Sequence, residues 1–353
     1  MVGLATLRNR GVAAALGAAL LFGASPPVAK LLLPQAAPWI LAGLLYLGSG
    51  LGLTALLGIE SARGRRMVTL SRRDWPWIGA ATACGGIIAP VLLLTGLAGS
   101  SASTASLLLN AEGVLTALLA WFVFGENFDR RVALGMLLIA AGAVLLSWDQ
   151  GMLNFTLPNL LVLGACLAWA VDNNLTRKVA HADARLIAAV KGMAAGSVNL
   201  VLGLATGASW PPLGVSAAAM GLGFLSYGVS LALFVLGLRH LGTARTGAYF
   251  STAPFVGALI ALPLLAEPVT AELAVAGVLM AAGVWLHLTE RHLHQHTHEA
   301  TIHDHWHEHD SHHQHEHGED VAPGTRHSHP HRHAPQEHTH EHFPDVHHKH
   351  RHR

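Results

Sequence analysis

Three charged residues lie inside long apolar stretches: Glu112 in SLLLNAEGVLTALL, Asp172 in ACLAWAVDNNLTRK and Lys191 in AAVKGMAAGSVNL. A charge at mid-bilayer depth costs about 2.5–3.5 kcal/mol on insertion scales, so such residues usually mark a transport path or an internal pair. Asn173 and Asn174 follow Asp172 and add oxygen ligands, while Asn110 lies two residues before Glu112. Positions two apart on a helix point in different directions, so Asn110 and Glu112 need not share a site. Two chemistries are open. Lys191 locks helices together by pairing with Asp172 or Glu112, or one of the carboxylates carries a cation or proton and Lys191 is the counter-charge that the cargo displaces. A pair that breaks during the cycle satisfies both.

A second ligand-rich segment closes the chain. Residues 291–353 hold 23 of the 26 histidines. Those at His292, His294, His296, His298, His303, His305, His307, His309, His312, His313, His315 and His317 alternate for the most part with polar and acidic residues. Neutral imidazole is a ligand for Ni, Co, Zn and Cu, and neighbouring carboxylates broaden the choice. In an extended chain alternate residues share one side, so several imidazoles converge on one ion. No Cys/His spacing fixes a single geometry, which predicts several weak, exchanging sites that empty as pH falls through about 6.5. The segment is too poor in apolar surface to fold alone, and the expectation is a disordered tail. It collects or senses metal, buffers it, or merely solubilises the chain; metal on the tail does not show that metal crosses the membrane.

The elements that must hold the three buried charges are membrane helices. Windows of about 19 residues pick out ten apolar spans near 11–33, 38–58, 77–97, 101–124, 132–148, 157–177, 186–206, 214–238, 244–265 and 270–288. The N-terminal MVGLATLRNRGVAAALGAALLFGASP imitates a secretory signal but is read as the first span, since many further spans follow it. With the N-terminus in the cytoplasm, fifteen Arg and Lys residues fall on the cytoplasmic side and only Lys30 on the other. That asymmetry predicts a multi-pass protein of the inner (plasma) membrane with both termini cytoplasmic. Cys84 and Cys166 sit in separate apolar windows and read as packing residues rather than a disulfide.

The spans repeat. FGENFDRRVALGMLLIAAGAVLL (124–146) aligns with LAEPVTAELAVAGVLMAAGVWLH (265–287), putting Glu126 on Glu267 and Ala140-Ala141-Gly142 on Ala281-Ala282-Gly283. ALLFGASPPVAK (19–30) aligns with CLAWAVDNNLTR (166–177) at a slightly different offset. Each half has an odd number of spans, so the second is expected to be inverted, a common plan of secondary transporters with the path between the halves. The expected organisation is 1–149 and 150–290 as two inverted five-helix repeats and 291–353 as the tail. Glu126 and Glu267 end matching spans, which suits an end-of-helix role. Gly48, Gly50, Gly52, Gly192 and Gly196 suit close helix packing.

LFGASPPVAK at the end of the first span, NAEGVLTALLAWFVFGENFDRRVALGMLLIAAGAVLL (110–146) and its echo at 251–288 together resemble the EamA-type drug/metabolite transporter superfamily. The resemblance covers about residues 1–288 and implies a ten-helix, all-α carrier. The superfamily moves amino acids, nucleotide sugars, cations and other metabolites, and the tail is similar to that of its nickel/cobalt resistance exporters. The reading is a secondary exporter of divalent transition metal, nickel or cobalt first, with a small organic metabolite such as an amino acid as runner-up. A membrane-anchored metal store is the third reading. No GxxxxGK[ST] motif is present, which points to protons as the driving partner. The expected partners are the lipid bilayer, the substrate and protons, with no nucleic acid and a homodimer left open. No cofactor is required by the membrane part, and no nucleophile–base constellation suggests an enzyme.

Overall fold

The computed structural model describes residues 3–63, 70–124, 130–147, 156–179, 182–241, 243–288, 292–298, 302–307, 327–332 and 336–342. The chain forms two units, Met1–Thr289 and Glu290–Arg353.

Among the described residues of the first unit, every regular element is a helix. In its first half lie α1 (Gly3–Gly23), α2 (Ser25–Leu32), α3 (Pro38–Ala62), α4 (Trp75–Ala81), α5 (Ala89–Gly99), α6 (Ala102–Leu108), α7 (Ala111–Phe124) and α8 (Arg130–Ser147). The second half holds α9 (Leu157–Thr176), α10 (Ala184–Ala205), α11 (Leu213–Gly223), α12 (Ser230–Leu241), α13 (Thr243–Phe250), α14 (Ala253–Leu264) and α15 (Ala271–Leu288). Among the described residues, seven helical stretches are long and apolar enough to cross a membrane, beginning with Arg10–Leu32 and ending with Thr246–Leu264. Ala133–Ser147 and Ala271–Leu286 are shorter apolar helices. Pro26, Pro38, Pro76, Pro90 and Pro254 each sit in a first turn. There the missing amide removes no intrahelical bond of the following helix.

Irregularities recur between the halves. A π-helical turn at Thr82–Ile88 joins α4 to α5, and another at Phe224–Val229 joins α11 to α12. Leu109-Asn110 interrupt the α6–α7 span, and Ser251-Thr252 interrupt the α13–α14 span. Both features repeat after about 141 residues. Helix pairing also maps onto itself when the halves are exchanged. Helix α3 packs on α10, α6 on α14 and α8 on α15, while α1 lies on α12 as α9 lies on α5.

Small residues set the closest of these contacts. A Cβ at Gly192 would run into the backbone of Gly50, one at Gly196 into Leu47 and the Gly43 carbonyl, and one at Gly48 into the backbone of Met220. Backbones this close gain dispersion that lipid cannot supply. The packing role expected for these glycines is borne out.

In the second unit, strand β1 (His292–His298) pairs antiparallel with β4 (Gln336–His342), and β2 (Ile302–His307) with β3 (His327–Arg332). A polar sequence of strict period two tolerates an extended ladder, and the backbone pairing register places His292 opposite His342 and His303 opposite His331. His309, His312, His313, His315 and His317 lie outside the described residues.

The seam yields a test. Gly196→Leu is expected to destabilise the detergent-solubilised protein by about 1–3 kcal/mol through overpacking. Gly58→Leu, at a position with open space around it, should leave the melting temperature unchanged; scanning fluorimetry on both variants checks this.

Candidate transport site

Where the halves meet, Pro90 sets the geometry. It has no amide to offer the Gly86 carbonyl four residues back, and the π-helical register sends the Ala89 amide to the Cys84 carbonyl. Gly85 and Gly86 thus keep free acceptors inside an apolar bundle, where unpaired carbonyls are costly. Side chains from three helices supply the donors. Tyr46 Oη donates to the Gly85 carbonyl at 2.7 Å and Trp169 Nε1 to the same oxygen at 2.9 Å. Asn199 Nδ2 donates to the Gly86 carbonyl at 2.9 Å. Tyr46 belongs to the first half and the other two to the second, so one deformed turn fixes residues from both.

Asp172 packs against this turn, since a Cβ on Gly85 would strike its carboxylate. Lys191 Nζ donates to Asp172 Oδ1 at 2.5 Å and Oδ2 at 2.7 Å, and Thr176 Oγ1 donates to Oδ1 at 2.9 Å. Of the two partners foreseen for Lys191, the structure selects Asp172. Both side chains are largely buried, at 14% and 9% exposure. A buried pair of this kind ties α9 to α10 and neutralises both charges.

Glu112 stands differently. Among the described contacts its carboxylate accepts from Asn173 Nδ2 at 2.9 Å, and no ion pair to it is found. The residue is half-buried, Asn173 is exposed, and a Cβ on the adjacent Gly113 would meet open space. Asn173 also reaches Thr116 Oγ1 at 3.4 Å, and Asn174 donates to the Ala170 and Thr116 carbonyls. Asn110 is apart from the group: buried in the α6–α7 break, its amide donates to the Leu107 carbonyl and faces Met280. The structure thus brings together Glu112, Asp172, Asn173, Asn174 and Lys191, but not Asn110. Cys84 and Cys166 are both free, and Cys166 is buried with its thiol directed at the Leu108 carbonyl.

An aromatic wall missing from the sequence-based expectations continues from here. Tyr46 stacks at 5.8 Å on Tyr227, whose hydroxyl shares a 2.7 Å hydrogen bond with Ser25. Phe22 meets Tyr227 at 5.9 Å and Phe250 at 5.3 Å. Tyr46 and Trp169 meet at the Gly85 carbonyl, beside Asp172. Trp169 precedes Asn173 by one turn of α9 and so shares its face. One signal was available in the sequence, because the repeat places Phe22 on Trp169.

Comparison with known proteins bears on what such an interface serves. The EamA-like transporter family model matches residues 9–148 and 156–289. The chain belongs to the EamA-like transporter family. An uncharacterized transporter of Methanothermobacter thermautotrophicus is 29% identical over 286 residues, covering 76% of this chain and 83% of that protein. A probable terminal-alkyne amino-acid exporter of Streptantibioticus cattleyicolor is 28% identical over 217 residues, 61% of this chain and 73% of its own. A crystal structure with TM-score 0.57 and 19% identity, covering 78% of this chain and 96% of its own, shares the fold. The broader of the two resemblances drawn from the sequence is thus borne out: this EamA-like chain is a multi-pass membrane transporter.

The ion pair makes a prediction of its own. Lys191→Met leaves a buried carboxylate uncompensated and should cost about 3–5 kcal/mol of stability. Adding Asp172→Leu should recover most of that loss, measured as the melting temperature of each purified variant.

Proposed function

We propose that this EamA-like protein exports a small amine-bearing metabolite, of which amino acids are the leading class, across the cytoplasmic membrane in exchange for protons. The observation that carries the reading is Glu112: a half-buried carboxylate without an ion pair among the described contacts, bonded to Asn173 on the face of α9 that also carries Trp169. An ammonium group is held by one carboxylate, one amide oxygen and aromatic faces, with each cation–π contact adding about 0.5–2 kcal/mol. A divalent metal asks for several converging ligands. Among the described residues no group of three or more His, Cys, Asp or Glu side chains stands together. The runner-up of the sequence-based readings thus becomes the first. The amino-acid exporter among the relatives adds support.

In this reading ten spans form two inverted halves, both termini face the cytoplasm, and Glu112 holds either a proton or the ammonium, never both. That exclusivity couples the two fluxes. The Asp172–Lys191 pair keeps a fixed neutral wall beside the exchanging carboxylate. The tail binds Ni, Co, Zn or Cu ions and senses or buffers them.

A second reading is kept because of the 23 histidines of residues 291–353: the cargo itself is nickel or cobalt, collected by the tail. Uptake into inverted membrane vesicles with an imposed proton gradient separates them, using labelled phenylalanine, phenethylamine and nickel. The account expects gradient-dependent uptake of an amine, lost at least tenfold in Glu112→Gln and unchanged in a chain ending at His292. Nickel uptake that fails on truncation, with no amine moved, would establish the metal reading instead.

A further inference from the structure

At the end of the helices opposite the arginine-rich loops, Glu267 crosses from the second half into the first. Its Oε1 accepts from the Ala102 amide at 2.6 Å and its Oε2 from the Ser103 amide at 2.9 Å. Lys30, in the last turn of α2, lies 3.8 Å from Oε1 and also donates to the Ser100 carbonyl. Glu267 is only 11% exposed there and Lys30 26%. Beside them Ser100 Oγ donates to Asn159 Oδ1 at 2.6 Å, and Asn159 Nδ2 donates to the Leu146 carbonyl at 2.7 Å. Each of these links joins a residue of 1–147 to one of 156–288, except that from Lys30 to Ser100, which braces the loop that receives Glu267.

The backbone that presents Glu267 is itself unusual. Ala266 has φ +51°, the left-handed region that residues with a Cβ avoid, and it is the one such non-glycine residue among those described. Strain of this kind persists where the surroundings hold it, and it clusters at parts that switch. The Glu267 amide turns back to the Leu262 carbonyl at 3.0 Å, so the turn is closed on one side and aimed across the interface on the other. The repeat carries the same two charges at matching places, Arg177 for Lys30 and Glu126 for Glu267, the latter outside the described residues.

We propose that Glu267 and Lys30 are the gate residues that close the arginine-poor end of the carrier and must part for cargo to leave. Two charge-assisted bonds to backbone amides are strong enough to hold an end shut. Ala102 and Ser103 are buried, but both bonds end on backbone amides, groups that water can satisfy once the halves rock apart. The pull on Glu267 comes from α14, which packs on α6 and α2 and begins at the same break, Ser251-Thr252, that lies next to Phe250 of the aromatic wall. Occupancy of the wall and release of the gate are therefore linked through one short helix.

Hydrogen–deuterium exchange on the full chain in nanodiscs tests this without knowledge of the cargo. In Glu267→Gln, peptides covering 28–32 and 100–106 should exchange at least several-fold faster. Peptides covering 60–75 and 176–187, at the arginine-rich end, should exchange more slowly, because opening one end of an alternating carrier closes the other. Glu267→Asp should fall between the two, and Lys30→Met should shift both ends in the same senses but less, which serves if Glu267→Gln does not fold. Faster exchange confined to 100–106, with the opposite end unmoved, would reduce Glu267 to a helix cap and overturn the proposal. No change at either end would overturn it as well.

Discussion

Two backbone carbonyls, those of Gly85 and Gly86, organise the centre of this protein. Pro90 and the π-helical turn before it deny them intrahelical partners, and the bilayer offers no water in compensation. Donors must therefore come from side chains, and they come from α3, α9 and α10 together. Satisfying a defect in one helix fixes Tyr46, Trp169 and Asn199 in place, and with them the faces of α9 and α10 that carry Asp172, Asn173 and Lys191. The glycine at position 85 also leaves the space that Asp172 fills.

Upon this frame the two membrane carboxylates take opposite roles. Asp172 is enclosed by Lys191 and Thr176 and acts as structure. Glu112, in the first turn of α7, accepts a single described amide bond, from Asn173 beside the enclosure, and borders open space at Gly113. The difference follows from position, since the chemistry of the two groups is the same. The offset that puts Glu126 on Glu267 puts Glu112 on Ala253, so this half-buried carboxylate has no counterpart in the second half. In the proposed cycle, a single such carboxylate would exchange one ammonium outward for one proton inward.

Much of this was legible beforehand. The apolar windows, the internal repeat and the glycine seam follow from composition and spacing, because lipid imposes length and close packing imposes small residues. Glu112, Asp172 and Lys191 could be singled out because charge inside an apolar run is conspicuous. The choice of partner for Lys191 was not legible, as it depends on which faces of α9 and α10 meet. Nor was the aromatic wall, since Phe22, Tyr46, Tyr227 and Phe250 look like ordinary membrane residues until four different spans converge. The π-helical turns left only faint signs, Gly-Gly before Pro90 in one half. Asn110 read as a site residue but serves the break in its own helix. The extended pairing in the histidine-rich segment was anticipated only as period-two alternation.

The central claim is that the membrane site recognises an amine through Glu112 and that metal belongs to the tail. Calorimetric titration of the purified full-length protein with phenethylamine and with nickel chloride addresses both at once. The account predicts amine binding that weakens at least tenfold in Glu112→Gln and is indifferent to removal of residues 293–353, and nickel binding with the reverse dependence. Nickel binding that survives tail removal and disappears in Glu112→Gln would contradict it.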